Sequence, residues 1–160
     1  MEIRALVESD WPAVVSIFEE GIATGDATFE TEPPSWDVWD AAHTDIRLVA
    51  ENGGGVVGWA ALSGYSDRCC YRGVSEVSVY VAGAVRGRGV GRALLEAVIS
   101  RSEAAGIWTL QAGIFPENKP SLRLHLGCGF RLVGVRERLG ELGGVWRDVL
   151  LLERRSEAVG

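Results

Sequence analysis

Hydrophobic positions change period several times along this chain, and each change marks an element. Residues 2–7 read as a short strand. Ser9-Asp10-Trp11-Pro12 then opens a helix, with a polar cap and a proline in the first turn. Val14, Ile17, Phe18 and Ile22 follow at helical spacing, and Gly21 and Gly25 close the element. Residues 26–34 are a loop, after which Ser35 caps a short helix carrying Trp36 and Trp39. Between 46 and 63 two strands flank Asn52-Gly53-Gly54-Gly55, a strong hairpin signal. Gly73 to Val81 is another strand, with Val77, Val79 and Val81 on one face.

The character changes at Gly87. A glycine-rich turn leads into Val90, Leu94, Ala97, Val98 and Ala105, an amphipathic helix that ends at Gly106. Ile107 to Phe115 is a strand, Pro120 to Leu126 a short helix, and Phe130 to Arg138 a strand. The last strand runs from Val145 to Leu152, and the tail after about Arg155 is expected to fray. No internal repeat or linker interrupts the series, so residues 1–160 read as one domain. Helices mixed with antiparallel hairpins make it an α/β (α+β) fold with a mostly antiparallel sheet.

Composition narrows the function more than the fold. With 160 residues, 47% of them hydrophobic, the chain can bury a real core. A net charge of −6 argues against nucleic-acid or membrane-surface partners. Acids at the N-terminus and the lack of a long apolar run leave no export signal or membrane span. Three cysteines, Cys69, Cys70 and Cys128, read as reduced thiols, which points to the cytoplasm. The histidines, His43 and His125, stand far apart, and no metal-ligand spacing or Gly-x-Ser-x-Gly elbow occurs. A Cys128/His125 nucleophile pair would lack an orienting third group.

The anomaly is glycine: 21 of 160 residues, against a usual ~7%. Arg86-Gly87-Arg88-Gly89-Val90-Gly91-Arg92 follows a strand and opens a helix. Such a turn brings backbone N–H groups close to a phosphate, and the helix dipole adds to their pull. It is neither a P-loop nor a dinucleotide fingerprint, because no Gly-Lys-Ser/Thr follows and the spacing is G-x-G-x-G. A flexible strand-to-helix corner is the plain structural alternative.

The context carries more. Arg86-x-x-Gly89-x-Gly91 after Ser78-Val79-Tyr80-Val81 resembles the pyrophosphate signature of the GNAT superfamily of acetyl-CoA-dependent N-acetyltransferases. Asn118-Lys-Pro-Ser121-Leu-Arg-Leu-His125-Leu-Gly-Cys-Gly129-Phe130 is similar to a second segment of that family. Thr24 to Glu32, Tyr71-Arg72 before Glu76, and Trp146 to Arg155 further resemble the phosphinothricin and methionine sulfoximine/sulfone N-acetyltransferases. The likeness runs from about residue 3 to 155. It implies a GNAT-like fold, with a six- to seven-stranded sheet flanked by about four helices, and a homodimer.

It also implies acetyl transfer from acetyl-CoA, with no metal, to the primary amine of a small amino-acid-like acceptor. The attacking ammonium must lose a proton, and the departing thiolate must gain one. The resemblance puts the base at Glu76, whose apolar neighbours would raise its pKa; a strand glutamate facing solvent is the alternative. His125 is the candidate acid and Tyr80 the second, although a packed histidine or tyrosine is the commoner reading of each. The edge of Val79, Tyr80 and Val81 would pair with the pantetheine amides and supply the oxyanion donors. The amides from Gly87 through Arg88, Gly89, Val90 and Gly91 to Arg92 would hold the pyrophosphate, with Arg86, Arg88 and Arg92 adding charge. Asn118 and Ser121 would bond the pantetheine arm. For the acceptor, Arg72 would take a carboxylate, while Thr28, Phe29 and Tyr71 would wall the pocket. Gly73-Val74-Ser75 and Leu126 depart from the subgroup's pattern and leave the acceptor open. A peptide N-terminus, a polyamine, an aminoglycoside or a non-catalytic acetyl-CoA-binding module are the rival readings.

Overall fold

Two continuous apolar runs, Leu48-Val49-Ala50 and Trp59-Ala60-Ala61-Leu62, decide the layering, because a strand points successive side chains to opposite faces. Leu48, Ala50, Ala60 and Leu62 enter one core cluster, whereas Val49, Trp59 and Ala61 enter another. Both faces of the sheet must therefore be covered. In the computed structural model, which describes residues 1–160, helix α1 (Trp11–Ala23) and the short α2 (Trp36–Ala42) lie on the second face. Helix α3 (Val90–Ala104) covers the first with Leu94, Leu95 and Val98 fully buried.

Strands β1 (Glu2–Ala5), β2 (Arg47–Asn52), β3 (Gly55–Gly64) and β4 (Val74–Val81) form an antiparallel meander. Strand β5 (Thr109–Ile114) then joins β4 in parallel, and α3 makes the crossover. After α4 (Lys119–Gly127), β6 (Arg131–Leu142) and β7 (Val145–Arg155) complete a seven-stranded sheet in the order β1-β2-β3-β4-β5-β7-β6. Seven strands and four α-helices match the expected architecture.

The feature that makes a site is the parallel pair. β4 and β5 are in register over only three residues, Val74 to Glu76 against Thr109 to Gln111. Gly73 fixes where they meet: its carbonyl accepts from the N–H groups of both Trp108 and Thr109, at 2.8 and 3.0 Å. A Cβ there would lie 2.1 Å from the Trp108 ring, so only glycine permits the contact. Beyond Glu76 the strands part, and Val77 to Val81 keeps a backbone edge that β5 does not use.

Local departures from expectation have local causes. Asp10 does not cap α1; its carboxylate accepts from the Val7 N–H at 2.9 Å and from both Arg4 terminal nitrogens at 2.8 Å. Ser35 does cap α2, accepting from the Val38 N–H. Cys69 and Cys70 sit exposed in a 3₁₀ turn (Cys69–Tyr71). β6 continues past Arg138 through a bulge between Arg136 and Gly140, where Arg138 adopts φ 44° and its N–H donates to Asp148. The tail is tied down instead of frayed. Buried Ser156 donates its hydroxyl to Glu103, and its N–H donates to the Trp108 carbonyl.

Candidate functional site

The wedge between β4 and β5 opens into a cavity of about 870 Å³ that runs from α1 to α4. The turn before α3 forms one wall. Gly87 and Gly89 hold φ of 77° and 84°, the left-handed region that side chains disfavour, and Gly89 is the N-cap of α3. The first backbone N–H of this stretch with a protein acceptor belongs to Ala93, which donates to the Gly89 carbonyl; those of residues 87–92 have none. Six unpaired donors at the positive end of a 15-residue helix, with no acid in its first turn, make an anion cradle. Arg86 donates from Nε to the Val81 carbonyl at 3.2 Å, bracing the turn against the end of β4.

Val79, Tyr80, Val81, Arg86, Gly87, Gly89, Val90, Gly91, Arg92, Asn118 and Ser121 all line this cavity. Arg88 does not; it is exposed. Arg92 is engaged by Glu96 at 2.8 Å, so its charge is partly spent. Arg123, one turn along α4, is a cation on the cavity wall that the sequence reading overlooked. Asn118 caps α4, its Oδ1 accepting from the Ser121 N–H at 3.3 Å.

A second cavity, of about 320 Å³, joins the first along Ala27, Val77, Ser78, Tyr80 and Gly113. Glu76 points into it. No hydrogen bond or ion pair engages its carboxylate; burial pushes its pKa up, and only the charge of Arg136 acts the other way. Thr28 and Phe29 line this space, with Phe29 edge-on to Phe115 at 4.8 Å. Arg147 holds their loop in place: it donates to the Gly25 carbonyl at 2.8 Å and to Asp26 at 2.7 Å, and covers the Phe115 ring. Nothing local in the sequence marks Arg147 for that job.

Tyr71 and Arg72 lie outside both cavities. Tyr71 packs edge-on against Tyr65 at the exposed turn, while Arg72 donates to the Cys69 carbonyl and lies over Trp108.

The two proton-donor candidates differ. His125 is buried on α4, with Nδ1 2.7 Å from the Ser121 carbonyl and its ring edge-on to Phe130. That contact assigns the proton of the neutral ring to Nδ1, and burial lowers the pKa, so Nε2 carries a lone pair and no proton. Tyr80 packs between Phe18 and Trp59 and borders both cavities. Burial pushes its phenol up, against a smaller opposite effect of Thr28, so it stays protonated. Burial also raises the Cys128 thiol, which removes the thiolate a Cys128/His125 pair would need.

Residues 5–130 match the acetyltransferase (GNAT) family. The phosphinothricin N-acetyltransferase of Alcaligenes faecalis is 36% identical over 98% of this chain and 83% of its own length. An L-methionine sulfoximine/L-methionine sulfone acetyltransferase from Pseudomonas paraeruginosa is 28% identical over 94% and 92%. Among solved structures, a GNAT superfamily phosphinothricin acetyltransferase from Sinorhizobium meliloti in complex with AcCoA superposes with a TM-score of 0.86. It is 30% identical over 99% of this chain and 94% of that one.

Proposed function

Because the chain belongs to the acetyltransferase (GNAT) family, we propose that it moves the acetyl group of acetyl-CoA to the primary amine of a small amino-acid-like acceptor, with Glu76 as general base. The observation that carries this reading is the junction of the two cavities. One is walled by six unpaired amides, the other holds a half-buried carboxylate without a partner, and they meet along Val77, Ser78 and Tyr80.

Each step has a residue. The amides of Gly87 to Arg92 receive the pyrophosphate, and the free edge of Val77–Val81 pairs with the amides of the pantetheine arm beside Asn118 and Ser121. Glu76 takes a proton from the acceptor's ammonium, directly or through one water, so that the nitrogen lone pair can attack the thioester carbonyl. The N–C bond forms, the nitrogen releases its second surplus proton to solvent, the C–S bond breaks, and the thiolate takes up a proton. Tyr80 is the better-placed donor for that proton, since neutral His125 commits its only one to Ser121.

That ranking has a kinetic consequence. Tyr80→Phe is expected to lower kcat about 10–100-fold with KM for acetyl-CoA little changed. His125→Asn, which keeps a donor for the Ser121 carbonyl, is expected to stay within about threefold of the parent. Steady-state kinetics in which His125→Asn is the more damaged variant would return the role to His125.

The acceptor class is tested by thiol release from acetyl-CoA, with products identified by mass. Phosphinothricin, L-methionine sulfoximine, L-methionine sulfone, polyamines and short peptides are the acceptors to compare. Turnover confined to the amino-acid analogues is the expected result, and turnover of peptides or polyamines alone would overturn this reading. Exposed apolar residues on the β6–β7 hairpin, among them Val135, Val145 and Trp146, support a homodimer closed over that hairpin. Three unpaired thiols fit a cytoplasmic setting.

A further inference from the structure

The smaller cavity is lined by one carboxylate and one cation: Glu76 and Arg136. Arg136 stands on β6, directly before the bulge and opposite Val149 of β7. Val149 in turn packs beside Gly113 of β5, where an added Cβ would lie 3.2 Å from Val149 and 3.9 Å from the Glu76 carboxylate. The missing side chain at Gly113 keeps the space between β4 and β6 open. Among the other arginines of β6 and β7 only Arg138 has a guanidinium without a partner; Arg155 donates to the carbonyls of Ser156, Val159 and Gly160. Arg131 pairs with Glu153, Arg147 with Asp26 and Glu117, and Arg154 with Glu103. The Arg136 guanidinium has no hydrogen bond and no ion pair, and Asp148, the nearest acid across the ladder, is taken by the Arg138 N–H.

We propose that Arg136 binds the α-carboxylate of the acceptor and thereby restricts the enzyme to amines that carry one. An α-amino acid is a zwitterion. Its ammonium needs an anion that can also accept a proton, and its carboxylate needs a cation a few ångströms away; this cavity offers one of each. A guanidinium suits the second task, because its planar fork meets a carboxylate through two parallel hydrogen bonds. Arg72, the sequence-based candidate, is engaged by the Cys69 carbonyl and Trp108 outside the cavity. The same cation repels a polyamine and finds no counterpart on a peptide N-terminus, whose first residue has an amide in place of the carboxylate.

The assignment rests on the reading that Glu76 receives the acceptor's amine, so the test separates the two. L-methionine sulfone and its carboxamide, which differ only in the charge at issue, are compared as acceptors in the parent, Arg136→Ala and Arg72→Ala. The parent is expected to prefer the free acid. At a pH above the acid limb of both enzymes, Arg136→Ala is expected to raise KM for the acid about 10–100-fold while kcat/KM for the carboxamide changes less than about threefold. Arg72→Ala is expected to leave the preference intact. The unchanged carboxamide rate also shows that Arg136→Ala is folded. A parent that turns over neither compound overturns the acceptor reading and this proposal with it. A parent that acetylates both equally, or an Arg136→Ala enzyme that loses both alike or neither, overturns the role of Arg136 alone.

Discussion

Glu76→Gln is expected to lower kcat/KM for acetylation by about 10²–10⁴-fold, the range that a positioned general base supplies. The substitution keeps the shape of the side chain and removes only its ability to take a proton. The loss should not come from unfolding. Burial raises the Glu76 pKa, so the folded state favours the protonated carboxyl more than the unfolded chain does. The resulting penalty is absent below the unfolded pKa and grows as pH rises toward the folded one; at neutral pH a neutral glutamine avoids it. The variant should therefore melt no lower than the parent and bind acetyl-CoA equally well. The pH profile gives a second check. A base must be ionised, so the acid limb of the parent's kcat/KM should stand above the ordinary carboxylate range, and Glu76→Gln should lack it. Arg136→Ala, assayed with the carboxamide, should move that limb to still higher pH, because Arg136 is the one charge that holds Glu76 down. Parent-level turnover in Glu76→Gln would end its assignment as base. Acetyl-CoA binding in a parent that acetylates no amine would favour a binding module.

What the sequence disclosed and what it withheld differ by the range of the contacts. The proposed anion cradle is local: Arg86, Gly87, Gly89 and Gly91 lie within six positions, and a strand before and a helix after are enough to aim their amides. Asn118 and Ser121 are legible for the same reason, as a cap and the first turn it closes. The smaller cavity, the proposed acceptor site, is assembled from the loop at Thr28 and Phe29 and from four separate strands. Nothing in the periodicity of β6 distinguishes Arg136 from Arg131 and Arg138, which are exposed as it is; only the register with Val149, and the bare Cα of Gly113 beyond it, brings it toward Glu76. The bulge hid the length of β6 as well, since Arg138-Leu139-Gly140 looks like a strand ending. Arg88 makes the complementary point. It lies inside the motif, yet its side chain is exposed and does not line the cavity. A spacing rule fixes which backbone groups converge, and it leaves each side chain's direction to the turn.

Gly89→Val is expected to weaken coenzyme A binding about 100-fold, because it attacks the cradle's shape and leaves the core alone. Gly89 sits at φ 84°, where a β-branched residue is strained by about 1–2 kcal/mol or more. The turn would relieve that strain by rotating, and the amides on either side would swing with it. Losing one or two of their charge-assisted hydrogen bonds to phosphate, at about 1.5–3 kcal/mol each, accounts for the expected factor. No atom lies within 4 Å of a Cβ at Gly89, so the side chain meets no packed neighbour and the fold should survive. Gly91→Ala is the control. Its backbone is helical, and its Cβ would stand 3.2 Å from Cδ2 of Leu124, a side chain end that can yield, so binding should change no more than about threefold. Calorimetric titration with coenzyme A measures both variants. The decisive comparison uses an acetyl donor truncated to the pantetheine thioester, which carries no pyrophosphate. If residues 87–92 hold that group, Gly89→Val and the parent should turn over the truncated donor at the same low kcat/KM. A hundredfold loss that persists with the truncated donor would mean that the turn acts by positioning α3 against β4, and that the phosphates are held elsewhere.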